Sequence, residues 1–375
     1  MGSLLHDVLL DTRARSEQLL GAFKSLRGRV AADAEPFRAR WEQLVRRYRG
    51  AIEGLISDPD LKNPKLAGNF YISYKELMRF LFEVEAGPLV VLSRFGDADL
   101  FVTRVLSRIC GETGYPDSAP LGSAGSSQFY GALPNVDIVI VPPLESRHLL
   151  GLVDLYHELA HFVLRRRAAQ FLGPFQSEID RQFDELIEDA KRRNATRPEI
   201  AAIDANRSAW KRSWREEFAA DMIATFWVGP SFGWANVRLC ANMSPALFVG
   251  GPSHPADAAR HVGIGIMLQR LGCGDAAEEI DGWWGELVAL SKDVKPNEFE
   301  LAYPTKLLEA LCDFLYQECA KIGLWSWTQQ DTSNNPHVGG LLDLAWKRFR
   351  SSPSGYAEYE SDALEKLRKA VGMTG

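Results

Sequence analysis

The sequence predicts a mainly α-helical (α+β) fold with one small β-sheet, and three observations carry that reading. Apolar residues recur at helical spacing through most of the chain, beginning with Leu4, Leu5, Val8 and Leu9. One short β-branched run, Val136 to Val141, is closed by Pro142-Pro143 and reads as a strand. The composition is that of a packed globular chain, with 375 residues, 46% hydrophobic and 25% charged.

Residues 1–110 form a helical N-terminal region. Leu19, Leu20, Phe23 and Leu26, then Trp41, Leu44, Val45, Tyr48 and Ile52, keep the helical period, and Asp58-Pro59 and Asn63-Pro64 punctuate it. Residues 111–134 are rich in Gly, Ser and Pro and read as a long loop, a lid or a linker. Residues 135–275 follow as a third segment. It opens with the 136–141 strand, and Ser146 is placed to cap a helix that runs to about Arg167 and stops before Gly173-Pro174. A helix over about 176–194 comes next. Another starts near Pro198, continues towards Val228 and ends at Gly229-Pro230. Residues 276–375 read as a helical C-terminal region.

The chemistry concentrates in His157-Glu158-Leu159-Ala160-His161. Four residues turn a helix by about 400°, so both imidazoles leave one face, one turn apart. Two neutral imidazole nitrogens in that relation suit one Zn²⁺. Glu158 lies beside them and is angled to take a proton from water at the metal without ligating it. A chance match to this pattern arises in about one such chain in a hundred. His148, about 900° of rotation before His157, falls on the opposite side and is excluded as a ligand. Asp154 sits one turn before His157, and a solvated acid is its favoured reading. Catalytic zinc takes three protein ligands and leaves one position open. The third is sought in Glu216-Glu217-Phe218-Ala219-Ala220-Asp221, where Glu217 and Asp221 share a helix face and Glu216 points elsewhere. Glu217 is the preferred ligand. Asp221 is then placed to accept a hydrogen bond from the free ring N–H of a ligand histidine.

These elements together resemble the gluzincin metallopeptidases. A His-Glu-x-x-His helix is followed by a helix bearing Glu217-x-x-x-Asp221. His254-Pro255-Ala256-Asp257-Ala258-Ala259-Arg260 then resembles the histidine-proline loop of the M48 peptidase family, that of the CAAX-processing and heat-shock zinc peptidases. The resemblance covers about residues 137–262. It implies a zincin-like metallopeptidase domain, zinc on His157, His161 and Glu217, and Glu158 as general base. It also implies Asp221 orienting a ligand histidine, with His254 and Arg260 beside the site. His254, Tyr130 or Tyr156 is expected to stabilise the oxyanion. The 136–141 strand is read either as an edge that pairs with an extended substrate, as in such peptidases, or equally as an internal strand with no free edge. Many members of that family carry transmembrane helices, and the sequence shows no comparable apolar run.

The expected activity is therefore zinc-dependent hydrolysis of peptide bonds, with a peptide or protein as substrate. The rival reading is a catalytically inactive zincin-fold metal-binding or regulatory protein that recruits a partner through its helical flanks. A formal charge of −6 argues against a dedicated nucleic-acid binder. No window of about 18 apolar residues predicts membrane insertion, and His6, Asp7 and Asp11 interrupt any signal-peptide core. Five scattered cysteines without a Cys-x-x-Cys pair suit a reducing, cytoplasmic setting.

Overall fold

The computed structural model of the chain describes residues 2–125, 129–244, 246–329 and 337–373. The chain forms two compact units, one of residues 1–104, 120–129 and 133–143, the other of residues 105–119, 130–132 and 144–375.

In the first unit, α1 (Gly2–Ser25), α2 (Glu35–Ser57) and α3 (Ala67–Val84) pack on one another. Their apolar stripes meet in one core that includes Leu20, Phe23, Val45, Ile52, Leu81 and Val84. Each fully buried side chain of this size contributes about 1.5–3 kcal/mol. Arg38 and Glu42 are also buried here. Arg38 donates to Glu42 at 2.6 Å, to the Phe23 carbonyl at 3.0 Å and to Glu35 at 2.8 Å. Glu42 further accepts from Arg46 and Arg27, so every charge in this cluster has an opposite partner. A π-helical turn, Glu85–Leu89, leads into α4 (Val90–Ser93), and α5 (Asp97–Glu112) begins in this unit.

A small sheet is built from β1 (Leu121–Ala124), β2 (Gly131–Leu133) and β3 (Ile138–Val141), in the order β1-β3-β2. β1 and β3 run parallel, with Leu121 opposite Ile138 and Ala124 opposite Val141. The order makes β3 the central strand, which decides for the internal-strand reading over the free edge ready for substrate. The strand also starts later than Val136, because Asp137 has a left-handed backbone (φ 54°) held by an ion pair to Arg40 at 2.7 Å. β1 and β2 lie inside the segment expected to be loop. In β1 the glycine serves close packing rather than freedom. A Cβ on Gly122 would come within 2.6 Å of the Thr103 backbone nitrogen. Instead Gly122 N–H donates to Thr103 Oγ1 at 3.0 Å.

The second unit continues with α6 (Asp154–Arg166), α7 (Ala168–Arg192), α8 (Arg197–Ala209), α9 (Arg215–Val228), α10 (Pro230–Met243), α11 (Asp257–Arg270) and α12 (Gly274–Ser291). These are followed by α13 (Phe299–Ala302), α14 (Thr305–Lys321), α15 (Val338–Ser351) and α16 (Tyr356–Ala370). α9 is the hub: every residue from Phe218 to Val228 is buried, and α6, α10, α11 and α14 surround it. A helix segment that is apolar nearly all round belongs in a core, so the one acid in the buried stretch, Asp221, needs a partner.

Two local expectations change. The helix after Pro142-Pro143 begins at Asp154 without a side-chain cap, and Ser146 sits in a short 3₁₀ turn, Glu145–Arg147. His148 therefore lies outside α6, with Nδ1 3.4 Å from Glu360. It is removed from the site for that reason rather than by helical rotation. Gly173-Pro174 falls inside α7 instead of between helices. Proline forfeits one backbone hydrogen bond there, and the buried stripe of Phe171, Phe175, Ile179 and Phe183 outweighs that loss. Thr196 and Glu199 form a reciprocal capping box at the start of α8, with Pro198 in its first turn. A π-helical turn, Trp210–Trp214, joins α8 to α9. α9 ends where Gly229 turns the chain with φ 57°. No helix among the described residues is long and apolar enough to cross a membrane.

Candidate metal centre

α6 and α9 pack along each other and bring the site together. On α6, His157 and His161 present their Nε2 atoms 3.1 Å apart, with the rings edge-on at 4.8 Å and 83°. From α9, Glu217 places Oε2 3.4 Å from His157 Nε2 and Oε1 3.8 Å from His161 Nε2. One atom from each of these residues lies within 4.8 Å of the others. The three side chains keep 12%, 18% and 18% of their surface, so the cluster is enclosed yet reachable.

The donor set fits a zinc ion. A tetrahedral ion with bonds of about 2.0–2.1 Å holds its ligand atoms roughly 3.3–3.4 Å apart. The separations here run from 3.1 to 3.8 Å. Two imidazoles and one carboxylate are also the ligand chemistry of catalytic zinc sites.

Beneath this cluster the site is braced. His157 Nδ1 faces Asp221 Oδ1 at 2.9 Å, and its Nε2 points towards Glu217 and His161. Asp221 is fully buried. Arg260 from α11 grips both of its oxygens, Nε to Oδ2 at 2.6 Å and Nη2 to Oδ1 at 2.8 Å. Phe232 of α10 lies parallel to the His157 ring at 6.2 Å.

Burial pushes the Glu158 carboxyl up to about 7, against the pull of neighbouring His157. Burial opposes ionisation of Asp221 too, but the Arg260 guanidinium outweighs it and holds that carboxyl below its ordinary range. Glu217 is likewise held low, since its contacts with His157 and His254 outweigh burial. Burial favours a neutral His157, yet Asp221 and Glu217 overcome it and raise its pKa well above the usual imidazole value. Burial, then the nearby His157, brings His161 down to about 4.

The histidine-proline loop reaches the same place. His254 Nε2 lies 3.3 Å from Glu217 Oε2, and its Nδ1 is 2.8 Å from Ser253 Oγ. The other expectations need correction. Asp154 is only partly exposed, and desolvation raises its carboxyl to about 6. Tyr130 has its hydroxyl 3.5 Å from Glu145 and feels the charge of Asp154, surroundings hostile to a developing anion. Tyr156 is fully buried beside Glu112 and Cys110 and is withdrawn from any oxyanion role. Sequence reasoning missed Phe232, whose position carries no local signal, and the depth at which Arg260 engages Asp221. No family model matches the chain, and neither a curated protein nor a solved structure matches it.

Proposed function

We propose that this chain is a zinc-dependent metallopeptidase that hydrolyses peptide bonds. The supporting observation is the convergence of His157, His161 and Glu217, from two helices, with the buried Glu158 next to them on α6. Bound there, Zn²⁺ supplies Lewis acidity, polarising a carbonyl and acidifying water.

The chain's own groups do the rest. Glu158, with a pKa of about 7, is balanced between accepting and releasing a proton near neutral pH. It takes the proton from the attacking water and passes it to the leaving amine. Asp221, fixed by Arg260, holds His157 in the tautomer and orientation that a ligand needs. His254, half-exposed at the rim, is a hydrogen-bond donor for the carbonyl oxygen as that oxygen gains charge.

The test is metal content by plasma mass spectrometry on protein purified without a metal-affinity tag, followed by a peptide-library cleavage screen. About one zinc per chain, lost in His157→Ala/His161→Ala, is expected. Glu158→Gln is expected to keep the zinc and to lower cleavage by a factor of roughly 10²–10⁴. A folded, metal-replete wild type without zinc overturns the proposal. Zinc binding with no cleavage by the wild type would leave the non-catalytic metal-binding protein in its place.

A further inference from the structure

We infer that Trp214 and Tyr303 are positioning residues that set His254 against Glu217, an inference that rests on the metallopeptidase reading of the site. The loop bearing His254 is bracketed from one side. The Trp214 indole Nε1–H donates to the Gly251 carbonyl at 2.9 Å. Ser213 Oγ donates to the Pro252 carbonyl at 2.9 Å. Ala256 N–H donates to the Tyr303 hydroxyl at 2.8 Å. Within the loop, Gly251 N–H closes back onto the His254 carbonyl at 2.9 Å. The two aromatic rings of the bracket stack on each other at 5.1 Å and 27°. They also close off the space above Gly250, where an added Cβ would strike the Tyr303 hydroxyl and the Trp214 ring.

The bracket is joined to the metal cluster through covalent structure. Ser213 and Trp214 end the π-helical turn that runs into α9, so Trp214 precedes Glu217 by less than one helical turn. Trp214 and Tyr303 are both buried, whereas His254 keeps 54% of its side-chain surface. A half-exposed histidine has little packing of its own to fix it. The rigid aromatic pair supplies that fixity through the backbone on both sides of residue 254. A general feature of such sites is that about 1 Å of misplacement costs up to roughly 10²-fold in rate.

The experiment uses full-length protein labelled with ¹⁵N-histidine, with the His254 ring signals assigned through His254→Gln. Trp214→Phe keeps the stacked ring and removes the indole donor. Tyr303→Phe keeps the ring and removes the hydroxyl that Ala256 bonds. As the control, Trp346→Phe alters another fully buried indole, one whose ring packs on Phe349 of α15. In the first two variants the His254 ring signals are expected to move and broaden while those of His261 stay in place. Trp346→Phe is expected to leave His254 unmoved. In zinc-loaded enzyme the same two variants are expected to lower kcat about tenfold or more with little change in KM. A His254 signal unmoved in both variants overturns the inference. So does a shift of all histidine signals together, which would mark a general packing defect. A His254 shift in a protein that binds no zinc would keep the bracket and discard the metallopeptidase reading.

Discussion

Buried charge is handled in opposite ways in the two units. In the first unit, Arg38 and Glu42 sit one turn apart on the same helix, and Glu35, Arg27, Arg46 and the Phe23 carbonyl use up the remaining capacity. In the second, Asp221 and Arg260 come from different helices, each is the other's main partner, and His157 hangs from the same carboxylate. Next to them Glu158 is buried with no cation in hydrogen-bond contact, and its carboxyl is pushed up to about 7. A closed network that saturates its own charges is scaffold. A network that leaves one carboxyl strained and two imidazole nitrogens facing each other has capacity left for a ligand.

The largest test of this contrast is Arg260→Ala. It leaves Asp221 buried without its guanidinium, and a loss of about 3–5 kcal/mol in urea denaturation is expected. A loss equal to that of Arg38→Ala would mean that the two networks are equivalent.

Next is Glu158→Gln in chelator-treated protein. The folded-state pKa of Glu158 lies above its ordinary 4.5, at about 7, so the folded chain holds this proton across that window. Its contribution to stability therefore falls as pH rises from about 4.5 to about 7. The gap corresponds to at most about 3 kcal/mol. Thermal denaturation should show the variant gaining on the wild type steadily through that range, with no gain below pH 4. A constant difference between the two at every pH would show that Glu158 is not held protonated.

Arg38→Ala is expected to cost less than Arg260→Ala, about 1–3 kcal/mol, because Glu42 keeps Arg46 and Arg27. The smallest effect is at the edge of the second unit. Thr196→Ala removes half of the capping box on α8 and should cost about 1 kcal/mol.

The sequence made the local part of this organisation readable and concealed the rest. The spacing of four in His157/His161 and in Glu217/Asp221 is a property of one helix at a time, so shared faces follow from the period alone. Proline and glycine punctuation marked α8 and the end of α9 for the same reason. Tertiary packing overrode such signals elsewhere: Pro174 lies inside α7 because an aromatic stripe continues past it. Gly122 belongs to a strand because Thr103 approaches too closely for any side chain. Position in sequence told nothing about Tyr156, whose neighbour His157 points into the cluster while its own ring is fully buried. The bracket of Trp214 and Tyr303 joins residues 89 positions apart, and no period links them.

The π-helical turn at Trp210–Trp214 gives the chain a local tolerance of deletion. A π-turn carries one residue more than the α-helical turn it interrupts. Losing any one of its five residues could be absorbed by reverting to regular helix, with α8 and α9 both intact. Phase would be kept, because the residue lost is the one the π-turn adds to a full turn, so Glu217 and Asp221 would still face His157. Losing a residue from the regular helix just beyond, Arg215 or Glu216, has no such reserve and would rotate both acids by about 100° away from the upstream chain.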